Sequence, residues 1–209
     1  MRTLLASCLL ASAVFAADAP VPAGSLIVST PFDQPQGPTR KKAINGWSAA
    51  IGEWSVKDGA LFGDELKEDN HHSSCTYRVD AGGIVIQAQF RLGGAQYLAF
   101  GCRDTVAPNL HLGRTFVSKD AVWITHMSGI SKTTKSAKVA ELKTPVDPAK
   151  WHDIRIEIVG DRYRVRLDDK ELEATHPRFK DRKGLVALIT KGQGAAFRQV
   201  TLRHAGEAR

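Results

Sequence analysis

The stretch Ile84-Val85-Ile86-Gln87-Ala88-Gln89-Phe90-Arg91-Leu92 decides the fold. Side chains along an extended chain point alternately to opposite faces. Ile84, Ile86, Ala88, Phe90 and Leu92 therefore share one flank, and Val85, Gln87, Gln89 and Arg91 share the other. A greasy flank backed by a mostly polar one is the signature of a half-buried antiparallel strand. Two later segments repeat the pattern. His152, Ile154, Ile156 and Ile158 oppose Asp153, Arg155 and Glu157, and Tyr163, Val165 and Leu167 alternate with Arg162, Arg164, Arg166 and Asp168. No segment carries a convincing apolar stripe at helical spacing.

Turn chemistry punctuates these runs. Asp58-Gly59 joins Trp54-Ser55-Val56 to Ala60-Leu61-Phe62 as a tight hairpin. Gly93-Gly94, Ser118-Lys119-Asp120, Gly160-Asp161 and Asp168-Asp169 mark further reversals. Phe197 is out of phase with Val200 and Leu202, which predicts a β-bulge. Ser128 to Lys138, with Lys132, Lys135 and Lys138, reads as a mobile polar loop. The spacing predicts about twelve to fourteen short strands. The expected fold is all-β: two antiparallel sheets in a jelly-roll sandwich, forming one domain over residues 25–204.

Residues 1–16 read as a cleaved secretory leader. Arg2 gives the positive start, Leu4 to Val14 the apolar run, and Val14-Phe15-Ala16 the small residues at a cleavage point. The run is too short to span a bilayer, so no transmembrane segment is expected. Residues 17–24, rich in Ala and Pro, read as an unstructured leader to the domain. The expected location is periplasmic or secreted. Without Arg2, 28 of the 29 Lys and Arg remain against 22 Asp and Glu, a net charge of +6. Such a surplus suits acidic polysaccharide or lipid headgroups. Nucleic acid is not expected as a partner of an exported chain without an aromatic-basic motif.

Removal of the leader takes Cys8 with it and leaves Cys75 and Cys102. A disulfide between them would close a loop of roughly 28 residues and contribute about 3–4 kcal/mol by the chain-entropy argument. The alternative is two buried thiols on neighbouring strands.

Several local patterns occur in a characteristic order: Gly46-Trp47, Trp54-Ser55-Val56-Lys57-Asp58-Gly59-Ala60-Leu61, and His111-Leu112-Gly113-Arg114. Pro148-Ala149-Lys150-Trp151-His152-Asp153-Ile154-Arg155-Ile156, Gly160-Asp161-Arg162 and Ala196-Phe197-Arg198-Gln199-Val200 follow. Together, from about Leu26 to Arg203, they resemble the secreted bacterial 3-keto-disaccharide hydrolase domain, a concanavalin-like jelly roll. The resemblance implies cleavage of an oxidised glycoside in a concave groove. Members bearing that name usually carry an acid in a central strand. Here the corresponding stretch, His111 to Val117, has no carboxylate.

The candidate chemistry clusters elsewhere. Gly63 to His72 concentrates acids and imidazoles in a loop before a strand. Glu65, Asp69 and His72, with His111, are the expected acid-base groups, and such an oxygen and nitrogen set could hold a divalent metal. Only one of His71 and His72 can enter such a site, since neighbours on a strand diverge. His111 and Arg114 would fall on opposite faces of a regular strand, and a turn at Gly113 would bring them together. Arg114 is then expected to orient substrate. Among the four tryptophans, core packing is expected for at least three, and Trp123 is the exposed candidate for stacking on a sugar. Asp153 and Glu157 share a strand face but their Cα atoms lie about 13 Å apart, too far for a carboxylate pair. They read as solvent-face residues, as does the stripe of Arg162, Arg164 and Arg166, which could alternatively meet an acidic glycan. A noncatalytic glycan-binding or envelope-associated module is the alternative function.

Overall fold

A computed structural model describes residues 19–105, 111–129 and 133–206. Residues 1–16, expected as a secretory leader, lie outside the described residues. The strands in chain order are β1 (Ala23–Thr30), β2 (Gln36–Thr39), β3 (Ala43–Ile44), β4 (Trp47–Ile51), β5 (Glu53–Lys57) and β6 (Ala60–Asp64). There follow β7 (Ser73–Ala81), β8 (Ile84–Arg91), β9 (Tyr97–Asp104), β10 (His111–Val117), β11 (Ala121–Ser128) and β12 (Lys135–Lys143). The chain closes with β13 (His152–Val159), β14 (Arg162–Leu167), β15 (Lys170–Thr175), β16 (Lys183–Lys191) and β17 (Ala195–Ala205).

They form two antiparallel sheets. The nine-stranded sheet runs β15-β14-β13-β8-β17-β6-β5-β2, with β1 also paired to β17. The eight-stranded sheet runs β12-β11-β10-β9-β16-β7-β4-β3. The hairpin at Asp58-Gly59 has φ of 52° and 70° at its two residues. That is the left-handed pair a two-residue primed turn needs, and it explains the Asp-Gly sequence. The bulge near the C-terminus falls between Arg198 and Thr201, with Gln199 at φ 52°.

The alternation read from the sequence sets the core. Ile84, Ile86, Phe90, Ile156, Tyr163, Val165 and Leu202 meet Cys75, Leu98, Phe100, Val186 and Leu188 from the other sheet. Phe100 and Phe197 pack edge to face across the layers, with centroids 5.7 Å apart. Thr115 Oγ1 donates to Tyr163 Oη at 2.9 Å between the sheets.

Five expectations need correction. Cys75 and Cys102 are free, buried thiols. Cys75 pairs with Leu188 and Cys102 with Val186, so β16 separates them. Two strand spacings are about 9.6 Å, beyond the roughly 7 Å Cα separation a disulfide tolerates. Residues 19–24 are not a loose leader. β1 begins at Ala23, and Glu157 accepts a hydrogen bond from Val21 N at 3.2 Å while Arg155 donates to Val21 O at 2.8 Å. This strap buries Glu157 to 3% exposure, so it is no solvent-face residue. Arg164 is buried as well, reaching Glu173 at 3.2 Å and Ala19 O at 3.3 Å. Finally, the polar stretch expected as a loop to Lys138 turns into β12 at Lys135, an exposed edge strand with Lys138 paired to Thr125.

Candidate functional site

The outer face of the eight-stranded sheet carries most of the predicted groups. Its middle is built from small side chains. Ala187 pairs with Gly101, and Gly101 with Arg114; one row over, Ile189 pairs with Ala99, and Ala99 with Phe116. Ala99, Ala187 and Ile189 are buried in a small apolar cluster with Phe116 and Leu185. Gly101 leaves room for Arg114 to lie down: a Cβ there would stand 3.4 Å from Arg114 Cγ. Arg114, Phe116 and Leu185 therefore lie over these small residues, which are buried beneath them.

A bulge completes the site. The register of β10 against β9 slips between His111 and Gly113, so two residues oppose one. The slip moves His111 onto the flank of Arg114, and Arg114 Nη2 approaches His111 Nδ1 at 3.3 Å. Gly113 is required here, because a Cβ would sit 2.9 Å from Thr125 O and 3.0 Å from Phe179.

Burial sets the electrostatics. Arg114 is only 8% exposed, its Nε has no hydrogen-bond partner, and desolvation followed by repulsion from Arg103 lowers its pKa to about 10. Desolvation, followed by the Arg114 charge, holds both His72 and His111 down to about 3. Both imidazoles are therefore neutral near pH 7. Glu65 accepts from Lys191 Nζ and from Gly192 N at 2.9 Å, and the lysine bond keeps its carboxyl below the usual range. Tyr97 stands edge-on to Phe116, and its phenol is pushed up by burial.

His72, His111, Arg114 and Glu65 thus share one face and one field. Asp69 does not join them. Its carboxylate accepts from Arg40 at 3.0 Å and from Gly52 N at 2.9 Å, which pins the loop to the start of β5. Trp123 is on the right face, but its ring stacks on Phe116 at 5.1 Å and Lys138 Nζ lies 5.3 Å from its centroid. Its flat surfaces are largely taken. Trp47 and Trp54 are core residues, whereas Trp151 is half-buried outside the core, 4.2 Å from the Arg198 guanidinium. Among the described residues, no three His, Cys, Asp or Glu side chains gather closely enough to hold a metal ion.

Sequence reasoning missed Arg103, Lys191 and Tyr97. A signal was present. Tyr97, Ala99, Gly101 and Arg103 alternate along one flank, and small residues between large ones on an outward face leave room for long side chains to lie across the sheet. A concavity of about 570 Å³ also lies on the opposite sheet, lined by Gln87, Gln89, Asp153, Arg166, Asp168 and Gln199. Its acids are already engaged: Asp153 with Gln89 at 2.9 Å and Asp168 with His152 at 2.7 Å. The imidazole and guanidinium cluster is therefore the stronger site.

Fold and site together define a concanavalin-like β-sandwich with a cationic outer face on its eight-stranded sheet. Residues 41–203 match the 3-keto-alpha-glucoside-1,2-lyase-like domain, and the chain belongs to that family. No curated protein matches it in sequence. Solved structures share the fold. A carbohydrate binding module CBM66 from Bacillus subtilis is 21% identical with a TM-score of 0.63, over 76% of this chain and 95% of that one. The laminarinase from Rhodothermus marinus is 13% identical with a TM-score of 0.61, over 87% and 98% of the two chains.

Proposed function

We propose that this chain is an exported carbohydrate-active protein that cleaves a 3-keto-glycoside on the outer face of the eight-stranded sheet. The observation that carries the reading is the convergence of two neutral imidazoles, His72 and His111, on the buried cation Arg114. The family's name supplies the reaction class, elimination across C1 and C2 of a sugar bearing a ketone at C3. A neutral imidazole, His72 in this reading, takes the C2 proton and the electron pair moves onto the C3 oxygen. Arg114 stabilises that oxygen as it becomes negative, the kind of preorganised charge that lowers such barriers. The enolate then expels the glycosidic oxygen from C1, which leaves a C1–C2 double bond and restores the ketone. The proton that His72 took from C2 passes to the departing oxygen, which regenerates the neutral imidazole, and no water is consumed. A low pKa keeps the ring ready to accept but makes it a weak base, so turnover should be slow. The residues at 1–16 support export.

Incubation with a 3-keto-α-glucoside, followed by ultraviolet detection of the conjugated enone, tests the reading. Deuterium at C2 should slow the reaction. His72→Gln and Arg114→Met should each lower kcat at least a hundredfold. Full turnover in both variants would sink the assignment.

One observation favours a second reading, noncatalytic glycan binding. Glu65 is committed to Lys191 and Asp69 stands elsewhere, so the predicted acids do not assemble the carboxylate pair that glycoside hydrolysis uses. Retained sugar affinity with no product formation would establish this alternative.

A further inference from the structure

We propose that Arg103 and Arg114 form a subsite for the carboxylate of an acidic sugar, so that the ligand of this face is a uronate-containing glycan. The inference rests on the carbohydrate reading above and names its substrate class. Arg114 pairs with Gly101, and Arg103 lies two residues further along the same strand. Their Cα atoms are diagonal neighbours, about 7–8 Å apart. Each guanidinium has a buried Nε with no hydrogen-bond partner, and Ser74 Oγ on the same face is also buried and unpartnered. Arg114 is more than nine-tenths buried. Among the described residues neither guanidinium is ion-paired to a carboxylate.

Two adjacent, partly dehydrated cations without a counter-charge are costly to fold. A planar carboxylate would remove that cost, because the guanidinium fork donates two parallel hydrogen bonds to its oxygens. The cationic character continues along the sheet. Arg103 pairs with Leu185 and Leu185 with Arg78, which places Arg78 about 9.6 Å from Arg103. Arg78 and Leu185 line a concavity of about 550 Å³ that reaches Lys41 and Lys42, and with Arg103 they line a second of about 430 Å³ whose acids are Asp80 and Asp104. Both acids are engaged by other arginines: Asp80 is bonded to Arg182, and Asp104 lies 3.8 Å from Arg178. The track from Arg114 through Arg103 and Arg78 to Lys41 suits a chain with repeated negative charges better than a neutral one.

The test is proton–nitrogen NMR of the arginine Nε–Hε groups in the processed protein. The titrants are trigalacturonate, its carboxyl-reduced neutral counterpart, and sodium acetate. Trigalacturonate should shift the Arg103 and Arg114 signals, with half-saturation at least tenfold below that of either control. Half-saturation should rise at least fivefold between 20 and 200 mM salt, about the response expected when cations meet anions near a surface. Arg103→Gln should weaken trigalacturonate at least tenfold and leave the neutral trimer unchanged. Arg78→Gln, at the rim, should weaken the trimer about threefold but not a single galacturonate. Equal half-saturation for charged and neutral trimers overturns the proposal, as does equal response to acetate or an Arg103→Gln variant with full affinity. Silence toward trigalacturonate in a protein that turns over keto-glucoside overturns it too, and leaves the parent reading standing. Silence toward every sugar, with no turnover, removes both.

Discussion

Arg114→Met should make the protein more stable while it removes function. The folded state lowers the Arg114 pKa from 12.5 to about 10, and burial is the main cause. A shift of that size corresponds to about 3 kcal/mol of preference for the uncharged form. The sign follows directly. Below the folded-state value the residue is charged in both states, and the folded state carries the whole penalty; it disappears only above the unfolded value. At pH 7 the cost is therefore fully present. Methionine fills similar space over Gly101 without charge, and buried ions exchanged for apolar residues of like volume often stabilise. His111 Nδ1 loses its contact, which returns about 1 kcal/mol. The net expectation is a gain of about 1–2 kcal/mol. For a domain of this size that corresponds to a Tm about 2–8 °C higher. Urea and thermal melts at pH 7 supply the measurement. A variant less stable than the parent would refute the claim that Arg114 is an uncompensated buried cation, and with it the reason for expecting an anionic ligand.

Acid should destabilise the fold. His72 and His111 titrate near 3 in the folded chain against an ordinary 6.5, so the unfolded state binds their protons first. Stability is present above about pH 6.5 and falls as pH drops toward 3, by up to about 1.4 kcal/mol per pH unit for each ring. Urea midpoints from pH 7 to pH 4 should show that slope, and it should flatten in a His72→Gln, His111→Gln double variant. Cys75 and Cys102 should be silent in the native protein and both titrate with Ellman's reagent once it is unfolded, since burial pushes Cys102 up to about 12 and Cys75 higher still. Dithiothreitol should leave Tm unchanged. Gly63→Ala should lose about 1–3 kcal/mol by denaturant titration, because the new Cβ would stand 2.5 Å from the buried Trp54 ring.

The fold was legible because alternation is a local property. The flanks read at Ile84 to Leu92 and at Tyr163 to Leu167 are the flanks that face the core. Asp58-Gly59 declared its hairpin through backbone chemistry alone. The site was harder, since it depends on which strands lie side by side. His111 and Arg114 meet through a one-residue slip against β9, and the sequence pointed to it only through Gly113. Asp69 looked equivalent to Glu65 in the chain, yet a loop turn sends it to Arg40. Glu157 looked wet because the segment covering it comes from 136 residues earlier in the chain. Cys75 and Cys102 looked like a pair because they are the two cysteines outside the expected leader, and the insertion of β16 between their strands keeps them apart.

The strap at Ala19 to Pro22 closes against the nine-stranded sheet, and Gly206 N donates to Pro22 O at 2.7 Å. Entry to and exit from the sandwich are thus neighbours on the side away from Arg114. A tag, bead or surface tether fixed at either place would leave the arginine face looking outward, free to meet a polymer too large to diffuse. Immobilised protein should therefore capture insoluble material as readily as it does soluble fragments.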